Sequence, residues 1–389
     1  MIVMKWFKKN EDVDYFTSTM KSEVKEEIIP VNEVQDVIED LRDPQFFGKI
    51  QPLVDNINIT DINCNSHSIW LNHINKGRYE CEDIQLNSEE IEKIAYKISN
   101  VENQQFNVVN PILEADFNDL RLQFTHSSFS TSGTSMSIRK TPCIARINEE
   151  KMVKQEYCSK EVINFFRTSI HSQLNFFIIG MTGDGKTELA KFLTSYIPSY
   201  ERIITIEDTI ELHLNKLYPK KDIVELKVGE RVNYDQAIKS CMRMLPKWIL
   251  LSEARGYEVK ELLKSISTGA KIITTLHTDH VYNIPKRILN MLEGNELSND
   301  KIENMIYQSV DIGVRVKADV DNDHTYRYIS QIAVFWLDFD QVRHHQMIYE
   351  VKKRNEEYYV QYYPIPEWLN ERFMEYNEHL EWKGDPVDE

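Results

Sequence analysis

The sequence predicts an α/β fold: a mainly parallel sheet covered by helices on both faces, preceded by a smaller α+β domain. Three observations predict it. Apolar, strand-length runs at Asn175–Ile179, Arg202–Glu207, Trp248–Ser252 and Ile272–Leu276 alternate with amphipathic helical segments, the texture of strands buried on both faces. The first of these runs leads straight into a glycine-rich turn and then a helix. Residues 57–124 instead carry short strand-like runs separated by Asn- and Gly-containing turns, with a single helix among them.

In chain order, residues 1–45 form a polar, charged N-terminal extension, with Lys21–Glu27 and Glu33–Glu39 as helical surface. The start, MIVMKWFKKN, is too short for a signal-peptide core and is read as a frayed end. The α+β domain spans 46–145. Its strands are expected at Ile57–Cys64, Ser68–His73, Arg78–Ile84, Phe106–Ile112, Ala115–Phe117, Arg121–Phe124 and Met136–Arg139. Its helix, Ser88–Ser99, is capped by Ser88 and places Ile91, Ile94, Ala95 and Ile98 on one face. The low-complexity stretch Ser127–Ser137 is a loop within this domain, and the hinge falls near 140–158. The α/β core spans 146–340. It adds helices at Lys160–His171, Glu188–Ile197, Tyr234–Met244, Val259–Ile266, Tyr282–Leu292 and Ser298–Gln308, then strands Val310–Val316 and Tyr326–Phe335 as an antiparallel extension. Residues 341–389 are an acidic C-terminal extension ending in a helix and a loose tail.

Composition narrows the function. The net charge is −16, which argues against a general nucleic-acid coat, since that needs a basic footprint. No apolar run approaches the roughly 18–20 residues of a membrane helix. The five cysteines are scattered and form no C-x-x-C pair, so neither a zinc ribbon nor a disulfide framework is supported. A reducing cytoplasm is the simplest setting.

The glycine-rich turn reads Gly180-Met181-Thr182-Gly183-Asp184-Gly185-Lys186-Thr187, followed by Glu188. It fits G-x-x-x-x-G-K-[ST] between a buried strand and an amphipathic helix, the context in which backbone N–H groups wrap a phosphate at a helix N-terminus. Lys186 is placed to reach the β- and γ-phosphates and the Thr187 hydroxyl to ligate Mg²⁺. Asp184 is a poor neighbour for phosphate unless it points outward. Three further segments end strands with polar side chains. RIITIEDTIEL carries Glu207, Asp208 and Glu211, which suit Mg²⁺ coordination or general-base work, though an acidic turn alone is as often solvated surface. KWILLSE ends in Glu253, followed by Ala254-Arg255-Gly256. TTLHTDH places His277 at a strand end, where a lone histidine is more often structural. The pair His344–His345 is read as surface.

Taken in order, these pieces resemble the secretion (traffic) ATPases of type II and type IV secretion, type IV and tight-adherence pili, and conjugation. GMTGDGKTE matches the family's phosphate loop, TIEDTIEL its acidic box, ILLSEARG its Walker B segment and TTLHTDH its histidine box. INITDINCNSHSIWL, the segment ending in SMSIRK, AIKSCMRMLP and ELLKSISTG extend the likeness over roughly 45–335. The ARG after Glu253 and the SIRK segment favour the conjugation and tight-adherence (CpaF-like) branch. A four-cysteine metal module of the type II branch is missing, while TLHT is shared with pilus-retraction enzymes.

The resemblance implies a RecA-like P-loop NTPase core that binds ATP and Mg²⁺ and acts as a hexameric ring. It implies a cytoplasmic protein, peripheral at the inner face of the cell membrane, with membrane proteins of a secretion or pilus machine as partners. Gly180, Thr182, Gly183, Asp184, Gly185, Lys186, Thr187 and Glu188 would cradle nucleotide. Thr187, Glu207, Asp208 and Glu253 would serve the metal. Glu253 would be the Walker B acid, Glu211 would activate water and His277 would monitor the γ-phosphate. Arg139 and Arg121 would reach the nucleotide from the N-terminal domain; Arg243 and Arg255 would stabilise charge or contact a neighbouring subunit. Two alternatives stay open: a nucleotide-dependent assembly scaffold that hydrolyses little, and a DNA-pumping motor, which the charge disfavours.

Overall fold

The computed structural model describes residues 2–4, 46–229, 231–292, 298–321, 324–354 and 357–384. The helical surface expected at Lys21–Glu27 and Glu33–Glu39 lies outside the described residues. The described chain divides into two compact units, one ending at Thr141 and one beginning at Pro142 and taking in Ile2–Met4.

The chain opens with a strand, β1 (Ile2–Met4), rather than a frayed end. The first unit then follows as α1 (Gln51–Asp55), β2 (Ile59–Cys64), β3 (Ile69–His73), β4 (Gly77–Cys81), α2 (Ser88–Val101), β5 (Ile112–Phe117), β6 (Leu120–Thr125) and β7 (Ser135–Lys140). Its antiparallel sheet has the order β4-β3-β2-β7-β6-β5. Helix α2 buries Ile91, Ile94, Ala95 and Ile98. Its cap is Asn87, one residue earlier than the sequence suggested: Glu90 N donates to Asn87 Oδ1 at 2.9 Å and Asn87 N donates to Glu90 Oε2 at 3.0 Å. This reciprocal box satisfies two amides that the helix leaves open, and Ser88 Oγ is used elsewhere, donating to Ser66 Oγ at 3.2 Å. The strand expected over Phe106–Ile112 begins only at Ile112, because the Asn107–Asn110 turn precedes it.

The second unit contains α3 (Glu149–Lys154), α4 (Lys160–His171), β8 (Phe176–Ile179), α5 (Lys186–Ser195), β9 (Ile203–Glu207), α6 (Leu214–Leu217), β10 (Ile223–Lys227), α7 (Tyr234–Cys241), β11 (Trp248–Leu251), α8 (Val259–Ile266), β12 (Lys271–Leu276), α9 (Ile284–Met291), α10 (Asn299–Ser309), β13 (Ile312–Asp321), β14 (His324–Leu337), β15 (Arg343–Arg354), β16 (Glu357–Tyr362) and α11 (Glu367–Glu375). One sheet runs through it in the order β1-β16-β15-β14-β13-β8-β12-β11-β9-β10. The six strands from β13 to β10 are parallel, and β14, β15, β16 and β1 extend them antiparallel. Apolar clusters bury both faces: Phe176, Ile178 and Trp248 lie in one, Phe177, Ile249 and Leu251 in the other. This alternation is why the central runs read as uniformly apolar.

Residues 341–389 are not a separate extension. β15 and β16 pair in register with the core sheet, and α11 buries Leu369 and Phe373 against it. Trp382 packs on Phe165 and Tyr362 and donates to Tyr363 O at 2.8 Å, so the described tail is seated rather than loose. His344 and His345 lie at the surface as expected, and both have neighbours there: His344 stacks on Trp336 and bonds Asp338, and His345 packs on Tyr282.

Candidate nucleotide site

Parallel strands share one carboxyl edge, so residues just past β8, β12, β11 and β9 are delivered to neighbouring points. The paired positions Ile179–Leu276, Thr274–Leu251 and Leu251–Ile206 keep the strand ends level. The glycine-rich loop therefore stands beside His277, then Glu253, then Glu207–Glu211.

The loop is built from backbone. Gly180, Gly183 and Gly185 have φ of 152°, 89° and 103°, conformations that cost side-chain-bearing residues dearly. A Cβ on Gly180 would also stand 2.6 Å from Val316 O. Gly185 is the N-cap of α5 and has no side chain to satisfy the first turn. Among the described residues the amides of Lys186, Thr187 and Glu188 have no acceptor, so the helix start presents donors and the positive end of its dipole. Lys186 is buried, and its ammonium donates to Gly180 O at 3.0 Å and Met181 O at 2.9 Å. Burial lowers its pKa, against the pull of Glu253, Asp184 and Glu211.

Asp184 resolves its own oddity. Its Oδ2 accepts the Met181 amide at 2.6 Å and the residue is buried, so it is turned back onto the loop rather than toward a ligand. Glu188 is similarly occupied: it accepts Arg146 N at 2.9 Å and Lys191 Nζ at 3.1 Å. Neither carboxylate faces the open amides as a nucleotide contact.

On the other side, Glu207 is fully buried, and its Oε1 accepts the amides of Glu211 at 3.1 Å and Leu212 at 3.2 Å. Desolvation raises its pKa to about 8, and Oε2 has no hydrogen-bond partner among the described residues. Glu207 thus shapes the acidic turn rather than standing ready for a metal. The turn presents Glu211, whose Oε2 accepts Thr187 Oγ1 at 3.3 Å. Arg255 bridges two carboxylates, with Nη1 3.0 Å from Asp208 Oδ2 and Nη2 2.8 Å from Glu253 Oε2. The other Glu253 oxygen lies 3.2 Å from His277 Nε2. Burial, then Lys186, lower the His277 pKa against the Glu253 charge, leaving the ring neutral at pH 7.

The structure does not gather every expected residue here. Arg243 is exposed on the turn Met242–Met244 and makes no hydrogen bond or ion pair among the described residues. Arg121 and Arg139 are Cα partners on β6 and β7 of the first unit, where Arg139 Nε donates to Asp61 Oδ1 at 3.0 Å. Sequence reasoning missed Arg327, whose Nε donates to Gly183 O at 3.3 Å and whose Cδ lies 3.6 Å from where a Gly185 Cβ would stand. It comes from β14, inside an ordinary-looking strand, and only topology brings it to the loop.

The residue set fits a nucleotide phosphate: open amides, a helix N-terminus and a buried lysine converge. The rim of Thr187, Asp208, Glu211 and Glu253 offers only hard oxygen donors. Among the described residues no three His, Cys, Asp or Glu side chains are gathered closely enough to cage a metal. Hard oxygen donors suit a cation such as Mg²⁺, which keeps waters and phosphate oxygens as ligands. Among the described residues no helix is long and apolar enough to cross a membrane.

Comparison with known proteins agrees with this architecture. The chain is 29% identical over 315 residues to an uncharacterized protein of Bacillus anthracis, covering 79% of this chain and 71% of that one. It is 32% identical over 192 residues to the type IV secretion system protein VirB11 of Brucella suis, covering 46% of this chain and 51% of the relative. It is 31% identical over 188 residues to VirB11 of Bartonella quintana, covering 44% and 52%. The chain thus spans about half the length of these VirB11 relatives. Among solved structures, the Legionella pneumophila ATPase DotB superposes with a TM-score of 0.57 at 18% identity, over 77% of this chain and 82% of DotB. The pilus retraction motor PilT superposes with a TM-score of 0.53 at 18% identity, over 73% and 81%. These likenesses show the fold, a RecA-like core with a smaller N-terminal domain. The family described as type II/IV secretion system protein matches residues 112–316, just over half of the chain and all four strand-end segments. The chain belongs to the type II/IV secretion system protein family.

Proposed function

We propose that this chain is an ATP-hydrolysing motor of a type IV secretion or conjugation machine, working as a hexameric ring against membrane proteins of that machine at the inner face of the membrane. One observation carries the reading: the open amides of α5, Lys186, Thr187–Glu211 and Glu253–His277 meet at one edge of the parallel sheet. The likeness to VirB11 proteins supports the machine; the tight-adherence branch rests on the ARG and SIRK segments alone.

The reaction class is phosphoanhydride hydrolysis, in which water adds to the terminal phosphorus and the bridging oxygen leaves. A bound Mg²⁺ would neutralise phosphate charge there. Lys186 and the α5 amides bind the phosphates, and the Thr187 hydroxyl with Glu253 holds the cation. Glu211, held at the rim by Glu207, accepts the proton of the attacking water. His277 stands beside Glu253 and reads the terminal phosphate. Arg255 supplies positive charge beside Glu253.

The low-turnover scaffold is the second reading. It is favoured by the engagement of Glu253, held by Arg255 on one oxygen with His277 3.2 Å from the other. The test is titration with a fluorescent ADP analogue. Wild type should bind and Lys186→Ala should not; normal binding by Lys186→Ala would remove the phosphate-loop assignment and both readings with it.

A further inference from the structure

The phosphate loop is gripped from outside by the hairpin of β13 and β14. Val316 O abuts Gly180 so closely that no side chain fits there. From the return strand, Arg327 Nε donates to Gly183 O at 3.3 Å. Asp184 completes the grip from within the loop by accepting the Met181 amide at 2.6 Å. Met181 itself is 60% exposed. The hairpin itself is rigidly based: Val314, Val316, Ile329 and Ile332 are fully buried in the core. Arg327 lies beyond residues 112–316 and so outside the family match.

We propose that the β13–β14 hairpin is the positioning element of the phosphate loop, with Asp184 and Arg327 as its two positioning residues. The proposal rests on the nucleotide reading of the loop. Asp184 holds the loop's first turn so that the later amides stay aimed outward, and Arg327 pins the carbonyl of Gly183 away from an incoming anion. Both act on backbone groups, which explains why a carboxylate is tolerated in this loop. Preorganisation of this kind lowers the ordering cost of binding.

Hydrogen–deuterium exchange over the peptide 179–185, read beside ADP affinity, tests this. Asp184→Ala should speed exchange of the Met181 amide about tenfold and weaken ADP about tenfold, the size of one charge-assisted hydrogen bond. Asp184→Asn keeps an acceptor oxygen and should restore most of both. Arg327→Met and Arg327→Lys should each weaken ADP by a similar factor, because neither carries the Nε donor. Wild-type exchange and affinity in Asp184→Ala and Arg327→Lys would overturn the proposal while leaving the nucleotide site intact. A wild-type protein that binds no ADP, yet releases Met181 in Asp184→Ala, would keep the bracing and remove the nucleotide reading.

Discussion

The two banks of the site are held by different physics. The loop bank is fixed by backbone: positive-φ glycines, a helix start, an amide tied by Asp184 and a carbonyl tied by Arg327. The acidic bank is fixed by side-chain charge. Arg255 ties Asp208 to Glu253, and His277 takes the remaining Glu253 oxygen. Backbone bracing is costly to undo, whereas half-exposed ion pairs exchange partners for little free energy. The loop bank is therefore suited to constant binding and the acidic bank to rearrangement during a cycle.

Substitutions can break or sharpen this contrast. The largest effect falls on the loop bank: Lys186→Ala should abolish nucleotide binding, read by titration with labelled ADP. Next, Glu253→Gln should keep ATP binding but lower turnover about 100-fold or more, measured as phosphate release. That split would place binding on one bank and chemistry on the other. A smaller effect is expected at Arg255, where the guanidinium competes with any cation for Asp208 and Glu253. Arg255→Ala should lower the Mg²⁺ concentration for half-maximal ATP binding by about threefold; a rise would make Arg255 an aid to the cation instead.

The smallest effect concerns the turn beneath Glu211. The Glu207 pKa rises from 4.5 to about 8 on folding, so the folded chain holds a proton that the unfolded chain releases. This contribution to stability is complete below about pH 4.5 and is lost as pH rises toward about 8. Glu207→Gln keeps an acceptor for the two turn amides but cannot ionise. Its Tm should fall less than that of wild type between pH 5.5 and 8, measured by thermal melts. Parallel Tm shifts in the two proteins would contradict a buried, protonated Glu207.

The same contrast explains what the sequence made legible. The loop bank is local: one strand, three glycines, a lysine and a helix within a dozen residues declare their geometry. The strand-end positions of Glu253 and His277 were legible because apolar runs of known length end there. Roles inside the acidic turn were not. Nothing in TIEDTIEL says that Glu207 turns inward to two amides while Glu211 turns to Thr187. β9 is buried on both faces, so the roles depend on how the turn after it folds its amides back onto Glu207. Asp184 read as a liability because nothing in the motif says that its carboxylate folds back to accept the Met181 amide of its own loop. Arg327 was hidden because it reaches the loop from β14, far along the chain. β15 and β16 were missed because polar, alternating strands lack the uniform apolar signal of the core, and β1 because its apolar run is only three residues long.

The most direct test is steady-state ATP turnover of wild type and Glu253→Gln, with light-scattering mass measured with and without Mg-ATP. The account predicts slow turnover by a species near six times 46.0 kDa, lost in Glu253→Gln while the mass is kept. A ring of that mass with no turnover, even with membrane partners added, would contradict the motor and leave the scaffold. A monomer that turns over equally well with Gln at 253 would contradict the assignment of the acidic bank altogether.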